Sequence, residues 1–475
     1  MNIFRVERNL QALGAVTAGL LLLLSQEVFA APPKLPVQPF GPGEVRLLDG
    51  PFRHAQDLGA AYLLSLEPDR LLAGFRKEAG LPEKAEAYGG WERQGVAGHS
   101  AGHYLSACAF MAKAAGDARF CERAAYMVDG LAACQQANGN GYVAAIPGGK
   151  EVFEKVARGE IASQGFDLNG SWVPWYTLHK LFAGLRDTYR LCGNEKALAV
   201  ARGLADFSIE TTKNLSEEQW QTMLACEHGG INEVLADLAA DTGEAKYLDL
   251  AKKFYHRAVL DPLAEGRDEL QGKHANTQFP KVIGCERIHE LTGEAPFGAI
   301  PPFFWNTVTH DHTYAVGGNS NDEHFGEPGK LNDRLGANTC ETCNTYNMVK
   351  LTGLLFRRGA RAELADYAER ALWNHLLASQ NPDDGMVLYY LTLKPGGQKT
   401  FMTPFDSFTC CSGTGMENHA RHGVHLYARD AEGVYVNQFI ASELDWAEKG
   451  VRLRLDTELP KSGAVRITIG AAAPV

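Results

Sequence analysis

Four residues in two polar loops have the side-chain types and the spacing of a metal site. Glu341 and Cys343 lie two positions apart, and in an extended loop such side chains point to the same side. Cys410 and Cys411 are adjacent, so they can bind one ion together only on a tight turn, which the glycines after them permit. Three thiolates and one carboxylate form a tetrahedral set that suits zinc. We therefore predict that these four residues hold Zn²⁺.

The chemistry of these thiols depends on their surroundings. Both loops run into apolar patterns typical of helices, so the thiols would lie at helix N-termini, where the helix dipole favours the thiolate. The pattern favours a catalytic metal–thiolate site over three alternatives. Cys340 and Cys343 could form a redox pair, although no thioredoxin-like strand and helix surround them. Cys410 and Cys411 could form a strained disulfide, or the zinc could be purely structural.

An acidic, glycine-rich loop at residues 317–325 supplies a candidate proton donor. Glu323 stands 18 residues before Glu341, and Phe325 follows it closely. A carboxyl group beside an aromatic ring can have a raised pKa, as a general acid requires. An ordinary solvated acidic turn is the alternative.

Histidines, amides and aromatic residues recur at the starts of predicted helices. Sugar hydroxyls need hydrogen-bonding partners and the C–H faces of a sugar pack on aromatic rings, so such clusters favour a carbohydrate pocket. A structural role is the alternative for each histidine alone. The clusters contain His99, His103, Trp172, Trp175, His179, His228, Asn232, His274, Asn276 and Gln278.

Composition limits the class of protein and its compartment. Acidic and basic residues, 57 against 46, are interspersed, which excludes a nucleic-acid-binding surface and a polybasic membrane patch. Residues 1–30 combine two arginines, a short apolar run and small residues before a cleavage point after Ala30, so we predict a signal peptide and an exported, periplasmic or extracellular protein.

Five of the ten cysteines lie in apolar helical patterns, where we expect small buried hydrophobic residues rather than disulfides: Cys108, Cys121, Cys134, Cys192 and Cys226.

The elements that must position these residues are mainly helices. About eleven segments between residues 51 and 427 have apolar residues at helical spacing, separated by turns that contain Gly, Asn or Pro. Successive helices joined by short turns pack as antiparallel hairpins, and a dozen of them close most naturally into a six-hairpin α/α toroid. Residues 433–440, 451–456 and 464–469 instead alternate in the manner of strands. We predict a catalytic domain at residues 31–429 and the first strands of a β-sandwich at residues 430–475, and the sandwich is expected to be truncated unless the strands pack on the helical body.

At these residues the sequence resembles the β-L-arabinofuranosidase families of glycoside hydrolases, formerly a large domain of unknown function. The resemblance extends from residues 43–52 to residues 433–440. Its motifs are the Cys410–Cys411 pair, Glu-Thr-Cys at residues 341–343 and Gly-Gly-x-Ser-x-x-Glu at residues 317–323, in the expected order. The resemblance implies an (α/α)6 barrel followed by β-sandwich domains.

The resemblance also implies roles for individual residues. Cys410 would be the nucleophile and a zinc ligand with Glu341, Cys343 and Cys411, and Glu323 would be the general acid/base. Cys340 receives no role. The residues that match sugar-contacting positions are His179, His228, His274, Glu369 and Tyr390.

The function that follows is that of a retaining exo-glycosidase. Such an enzyme needs a nucleophile on one side of the anomeric carbon and a proton donor on the other, and it would release β-L-arabinofuranose from plant-type glycans. Two other functions stay open: a carbohydrate-binding protein with a structural zinc, and another α/α-toroid enzyme in which zinc activates a substrate thiol.

Overall fold

A computed structural model describes residues 32–471 of the chain. The predicted signal peptide, residues 1–30, lies outside the described residues. Within residues 32–471, no helix is both long and apolar enough to cross a membrane. The predicted mainly α-helical toroid is confirmed.

Six helices within the described residues form a closed inner ring. Each packs against the next, and the last packs against the first. Because these helices are surrounded by protein on all sides, their sequences are not simply amphipathic; every residue from His99 to Ala112 is buried. The inner helices are His99–Ala115, Pro174–Cys192, Ile231–Thr242, Ala275–Thr292, Thr342–Arg358 and Cys410–Asn418.

An outer layer of helices surrounds this ring and completes the hairpins. Two-residue turns lead from four of the inner helices to the outer ones, and each turn begins with a glycine in the left-handed conformation, which an L side chain rarely adopts. These glycines are Gly116, Gly193, Gly243 and Gly293. The outer helices are Pro51–Ser65, Ala118–Asn138, Glu195–Thr212, Ala245–Lys253, Ala295–Asp311 and Ala362–Ala371, and the shorter connecting helices are Pro68–Glu78, Gly149–Ala157, Glu217–Leu224 and Arg257–Ala264.

The helix Ala295–Asp311 was not expected from the sequence. It contains Pro301 and Pro302, which normally interrupt a helix because proline lacks the backbone N–H. The apolar residues of its inner side, including Phe304 and Trp305, are nevertheless buried in the core. Tertiary packing therefore overrides local propensity here.

Three small antiparallel sheets accompany the helices. The predicted strands are present as Val434–Val436, Val451–Thr457 and Val465–Ala471. The largest sheet has the order Val465–Ala471, Val451–Thr457, Ser442–Trp446 and Val45–Leu47, so it incorporates a strand that precedes the toroid. Gln38–Pro39 likewise pairs with Tyr427–Arg429, which pairs with Val434–Val436, and the third sheet contains Ser163–Gln164, Asp167–Leu168 and Ser171–Trp172. The predicted domain boundary at residue 430 stays a prediction.

One expectation about the cysteines was wrong. Cys121 and Cys192 form a disulfide with a Cα–Cα distance of 5.6 Å, which joins an outer helix to the end of an inner one. Helical periodicity shows which side of a helix a cysteine occupies, but it does not reveal a partner 71 residues away. Cys108, Cys134 and Cys226 are buried free thiols, as expected.

Removing this disulfide should destabilise the protein. The double variant Cys121→Ser/Cys192→Ser is expected to lose on the order of 4 kcal/mol of unfolding free energy, because the bridge closes a loop of 71 residues in the unfolded chain. Urea denaturation of both proteins, with and without a phosphine reductant, measures the loss. The reductant should destabilise the wild type only; equal effects on both proteins would contradict the assignment.

Candidate active site

The four predicted metal ligands come together in the interior. Glu341, Cys343, Cys410 and Cys411 are all buried, and one ligand atom from each lies within 4.8 Å of the others. The Sγ atoms of Cys343 and Cys411 are 3.1 Å apart, and those of Cys410 and Cys411 are 3.9 Å apart. Oε1 of Glu341 lies 3.7 Å from Sγ of Cys410 and 3.8 Å from Sγ of Cys411. The structure therefore confirms that the two loops build one cluster.

Helix starts present all four side chains. Glu341 is the residue before the helix Thr342–Arg358, and Cys410 is the first residue of the helix Cys410–Asn418. The latter helix begins in a capping box, in which the side chains of Thr409 and Ser412 bond to each other's backbone amides. The adjacent cysteines thus lie in the first turn of a helix, not on the tight turn that the sequence suggested.

Gly413 has a packing role within that helix. A Cβ atom at this position would lie 2.2 Å from the ring of His103. The missing side chain lets His103 pack directly against the helix, where its Nδ1 hydrogen-bonds to Glu417 at 2.5 Å. The glycine therefore serves close packing rather than chain reversal.

The donor set fits a zinc ion. Tetrahedral zinc with Zn–S bonds of about 2.3 Å separates neighbouring donor atoms by roughly 3.8 Å, and three of the four distances above have this value within 0.1 Å. The other carboxylate oxygen of Glu341, Oε2, is buried without a hydrogen-bond partner. A buried carboxylate beside three thiols is costly unless a cation accompanies it, so the cluster can bind a metal.

The three thiols differ in charge and in access. Hydrogen bonds from Cys343 and Cys411 hold the pKa of Cys410 well below its usual range, whereas burial raises the pKa of both neighbours. Cys410 also differs in position, because it is the one thiol of this cluster that lines a cavity. The lowered pKa and the exposure to this cavity thus coincide at Cys410.

This cavity, of about 160 Å³, lies at one mouth of the toroid. Residues at or just before the start of each inner helix contribute to its wall, together with aromatic side chains. The inner-helix N-termini therefore converge on it. The lining residues are Trp91, Val96, Phe166, Trp172, Val173, Tyr176, Glu227, His274, Asn276, Glu323, Glu341, Tyr389 and Cys410.

Glu323 reaches the cavity from an unusual loop. Ser320, Asp322 and Glu323 all have positive φ angles, which are costly for residues other than glycine and which occur preferentially at functional sites. Oε2 of Glu323 lies 3.4 Å from Nε2 of His274. The loop therefore holds the carboxylate against the wall that carries Cys410.

The expected raised pKa of Glu323 was wrong. The hydrogen bond from His274 lowers it, and the hydroxyl of Tyr389 adds to this effect by donating to Oε1 at 2.5 Å. Phe325 packs in the core against Phe279 instead of covering the carboxylate.

Tyr389 is a site residue that sequence reasoning missed. Its hydroxyl contacts both Glu323 and Cys410, the latter at 3.4 Å from Oη to Sγ. The resemblance pointed to the adjacent Tyr390, whose ring contacts that of Tyr389 at a centroid distance of 4.6 Å and a tilt of 46° and is not part of the cavity wall. Burial raises the pKa of Tyr390 and the charge of Glu323 adds to this effect, so Tyr390 also lies near this carboxylate. The two rings are therefore on the same side of the segment, and the alternation of side chains along a strand could not have separated them.

The predicted sugar-contacting residues are not all brought to the cavity. His274 lines it, whereas His179 and His228 are buried outside its wall. Burial lowers the pKa of both histidines well below its usual value. Glu369 does not reach the cavity: it lies on the outer helix Ala362–Ala371 and lines a separate cavity with Trp373 and Pro460.

Comparisons with known proteins agree with this architecture. The family model described as the beta-L-arabinofuranosidase GH127 catalytic domain matches residues 44–424, and the model of the GH127 middle domain matches residues 433–475. No protein in a search of curated sequences matches the chain.

Solved structures share the fold. A GH127 beta-arabinofuranosidase is 19% identical with a TM-score of 0.71, over 91% of this chain and 69% of that chain. A GH127 beta-L-arabinofuranosidase from Geobacillus stearothermophilus T6 is 18% identical with a TM-score of 0.70, over 90% of this chain and 73% of that chain.

Metal binding by the cluster can be measured directly. We expect wild-type protein dialysed against metal-free buffer after exposure to Zn²⁺ to retain about one zinc per chain, and Cys411→Ser to lose most of it, because a tetrahedral site loses one of its four donors. Inductively coupled plasma mass spectrometry gives the ratio. Cys340→Ala is the matched control, since Cys340 packs with Tyr314 and Leu388 in a separate apolar cluster. Equal zinc loss in both variants would contradict the assignment.

The pair of His274 and Glu323 should stabilise the protein over a defined pH range. Burial alone would lower the pKa of His274, but Glu323 raises it above the ordinary 6.5; the pKa of Glu323 is lowered below 4.5. The contribution of His274 to the free energy of unfolding is complete below pH 6.5 and is lost as the pH rises through its folded pKa. The contribution of Glu323 is complete above pH 4.5 and is lost as the pH falls through its folded pKa. The difference in melting temperature between wild type and His274→Gln should be largest near pH 5.5 and shrink by pH 9, and a constant difference would refute the pairing.

Proposed function

The chain belongs to the GH127 beta-L-arabinofuranosidase family of glycoside hydrolases, and we propose that it is a retaining exo-glycosidase that releases β-L-arabinofuranose from plant-type glycans. Cys410 is the nucleophile and Glu323 the general acid/base. The observation that carries this proposal is the position of Cys410, the one thiol of the buried cluster that lines the cavity, on the wall that also carries Glu323.

The separation of the two groups favours retention of configuration. Tyr389 Oη is 3.4 Å from Sγ of Cys410 and 2.5 Å from Oε1 of Glu323, so these two atoms are less than 6 Å apart. Retaining glycosidases place their two catalytic groups about 5–5.5 Å apart, whereas inverting enzymes leave roughly 6.5–9.5 Å for a water molecule. The short distance supports direct attack by the protein on the sugar.

In the first step the Cys410 thiolate attacks the anomeric carbon. The bond from this carbon to the leaving oxygen breaks, and Glu323 donates a proton to that oxygen. The proton is held by the pair of His274 and Glu323, in which the pKa of the histidine is raised. The sugar remains joined to Sγ of Cys410 as a thioglycoside.

In the second step Glu323, now a carboxylate, removes a proton from water. The water oxygen forms a bond to the anomeric carbon and Sγ of Cys410 leaves, so two inversions give net retention. Zn²⁺ held by Glu341, Cys343, Cys410 and Cys411 would keep the thiols deprotonated and stabilise the departing thiolate. Tyr389 positions both reacting groups through its hydroxyl.

The cavity supports exo action on a single terminal sugar, and the disulfide supports a location outside the cytoplasm. A volume of about 160 Å³ is below the roughly 300 Å³ at which drug-sized ligand sites begin, which suits a single terminal sugar. The bond between Cys121 and Cys192 suits an oxidising compartment, as does the leader-like composition of residues 1–30. We therefore propose that the enzyme is exported and acts in the periplasm or outside the cell on arabinose-containing oligosaccharides or glycans.

The proposed roles can be tested with aryl glycosides. We expect wild-type protein to cleave 4-nitrophenyl β-L-arabinofuranoside within a panel of furanosides and pyranosides, and Cys410→Ser and Glu323→Gln to lose about 10³-fold or more in kcat/KM. Cys340→Ala, which leaves the cluster intact, should stay within about twofold of wild type. Proton NMR of the first-formed product should show the β-anomer.

Several outcomes would decide against this mechanism. Equal cleavage by wild type and Cys410→Ser excludes the thiol as nucleophile, and an initial α-anomer excludes retention.

Azide should restore turnover to Glu323→Gln and yield a β-glycosyl azide, because it needs no general base to attack the thioglycoside. Sugar binding without turnover of any panel member would indicate a carbohydrate-binding protein with a structural zinc.

A further inference from the structure

Glu227 is a buried carboxylate of the cavity that the mechanism above does not use. It precedes the inner helix Ile231–Thr242, lines the cavity together with Cys410 and Glu323, and is 7% exposed. Its backbone N–H donates to the carbonyl oxygen of Gly165. Within residues 32–471, its side-chain carboxylate has neither a hydrogen-bond donor nor an ion-pair partner.

The other buried carboxylates of the described chain differ from Glu227 in this respect. Each has a cation, backbone amides or thiols at contact distance. The pairs are Glu92 with the amides of Gly98 and Ser100, Glu233 with Lys350, Asp237 with Arg186 and Arg287, Glu286 with Arg358, Glu290 with Arg287 and Arg357, Glu341 with the cluster thiols, and Glu417 with His103.

An unpartnered buried carboxylate has a free-energy cost that something must offset. Burial raises the pKa of Glu227, and the more distant positive charges of His274, Lys281 and Lys180 reduce this effect without supplying a hydrogen bond. A buried carboxylate without protein donors depends on hydrogen bonds from whatever occupies the cavity that it lines. The missing donors must therefore come from a molecule in the cavity.

The surroundings of Glu227 indicate which donors these are. The positive charges that act on Glu227 disfavour the binding of a positively charged group. The rings of Trp91 and Trp172, with centroids 4.8 Å apart, lie in the same cavity wall and suit the C–H faces of a sugar. A sugar meets both requirements, because its hydroxyl groups are uncharged hydrogen-bond donors and its C–H face can pack on the aromatic rings.

We propose that Glu227 binds the glycone by accepting hydrogen bonds from its ring hydroxyls, and that it thereby selects the sugar that enters the cavity. This inference rests on the proposed glycosidase function and extends it to the recognition of the sugar. A site that hydrogen-bonds a substrate hydroxyl rejects analogues without that hydroxyl, because its own polar group is then left unpaired. In this site, Glu227 would be the polar group that such an analogue leaves unpaired.

Binding and stability together test the proposal. Glu227→Gln should weaken the binding of L-arabinose at least tenfold by isothermal titration calorimetry, because the charge-assisted acceptor is lost. The same variant without ligand should melt at or above the wild-type temperature, because it no longer buries an unpartnered charge. A purely structural carboxylate would lower the melting temperature when replaced.

Glu233→Gln is the matched control. It makes the same chemical change in a buried carboxylate that does not line the cavity and that contacts Lys350 at 2.6 Å. This variant should melt at a lower temperature, because it leaves Lys350 without its partner, and it should bind L-arabinose as wild type does.

Deoxy substrates identify the hydroxyl that Glu227 contacts. We expect removal of that hydroxyl from 4-nitrophenyl β-L-arabinofuranoside to reduce kcat/KM strongly in wild type and by less than about threefold in Glu227→Gln, since the two changes remove the same contact. Additive losses for both the 2-deoxy and 3-deoxy glycosides, or unchanged binding of L-arabinose by Glu227→Gln, would overturn the inference. If wild type cleaves the arabinoside but the Glu227 results are not obtained, the proposed glycosidase function stands and the role of Glu227 is refuted. If wild type cleaves no member of the panel, the proposed function and the role of Glu227 are both refuted.

Discussion

The convergence of six helix N-termini on one buried mouth is the constraint on which the site depends. The N–H groups of a first helical turn have no partners within their own helix, and the helix dipole adds partial positive charge there. The residues at this mouth include one thiol and several carboxylates, among them Cys410, Glu341 and Glu227. The fold therefore offers a positive environment to acidic groups whose negative charge is disfavoured by burial. A cation at the cluster would supply the positive charge that the partial charges of the helix ends do not provide.

Small residues allow the helices to come close enough for this arrangement. Gly102 and Gly184 lie where the first two inner helices cross, and a Cβ atom on Gly102 would lie 2.1 Å from the carbonyl oxygen of Lys180. Gly413 similarly admits the ring of His103 beneath the helix that carries Cys410. Replacing such glycines would push the inner helices apart, and the cluster would lose its geometry without any change in its ligands.

How much of this could be predicted from the sequence depends on whether the information is local. The ligand set was predictable, because Glu341–Cys343 and Cys410–Cys411 are short motifs with few chemical uses. The disulfide of Cys121 was not, because its partner is set by the packing of two hairpins. Tyr389 was missed because the resemblance pointed to its neighbour Tyr390, and Glu369 was carried over by the same resemblance although its helix belongs to the outer layer. The repeated glycine turns after inner helices are a signal that the sequence does contain, in Gly-Asp, Gly-Asn and Gly-Glu pairs at hairpin spacing.

The lowered pKa of Glu323 changes how proton donation must be understood. A general acid of the usual kind is protonated because an apolar wall disfavours its charge, but Glu323 is surrounded by donors, His274 on one oxygen and Tyr389 on the other. In the proposed mechanism the proton is therefore shared by the pair of His274 and Glu323 and is not held by the carboxylate alone. Tyr389 connects this pair to Cys410 through a single hydroxyl, so in the proposed mechanism a change of charge at Cys410 would be transmitted to Glu323. The positive-φ loop that carries Glu323 is the structural cost of holding the carboxylate within reach of all three groups.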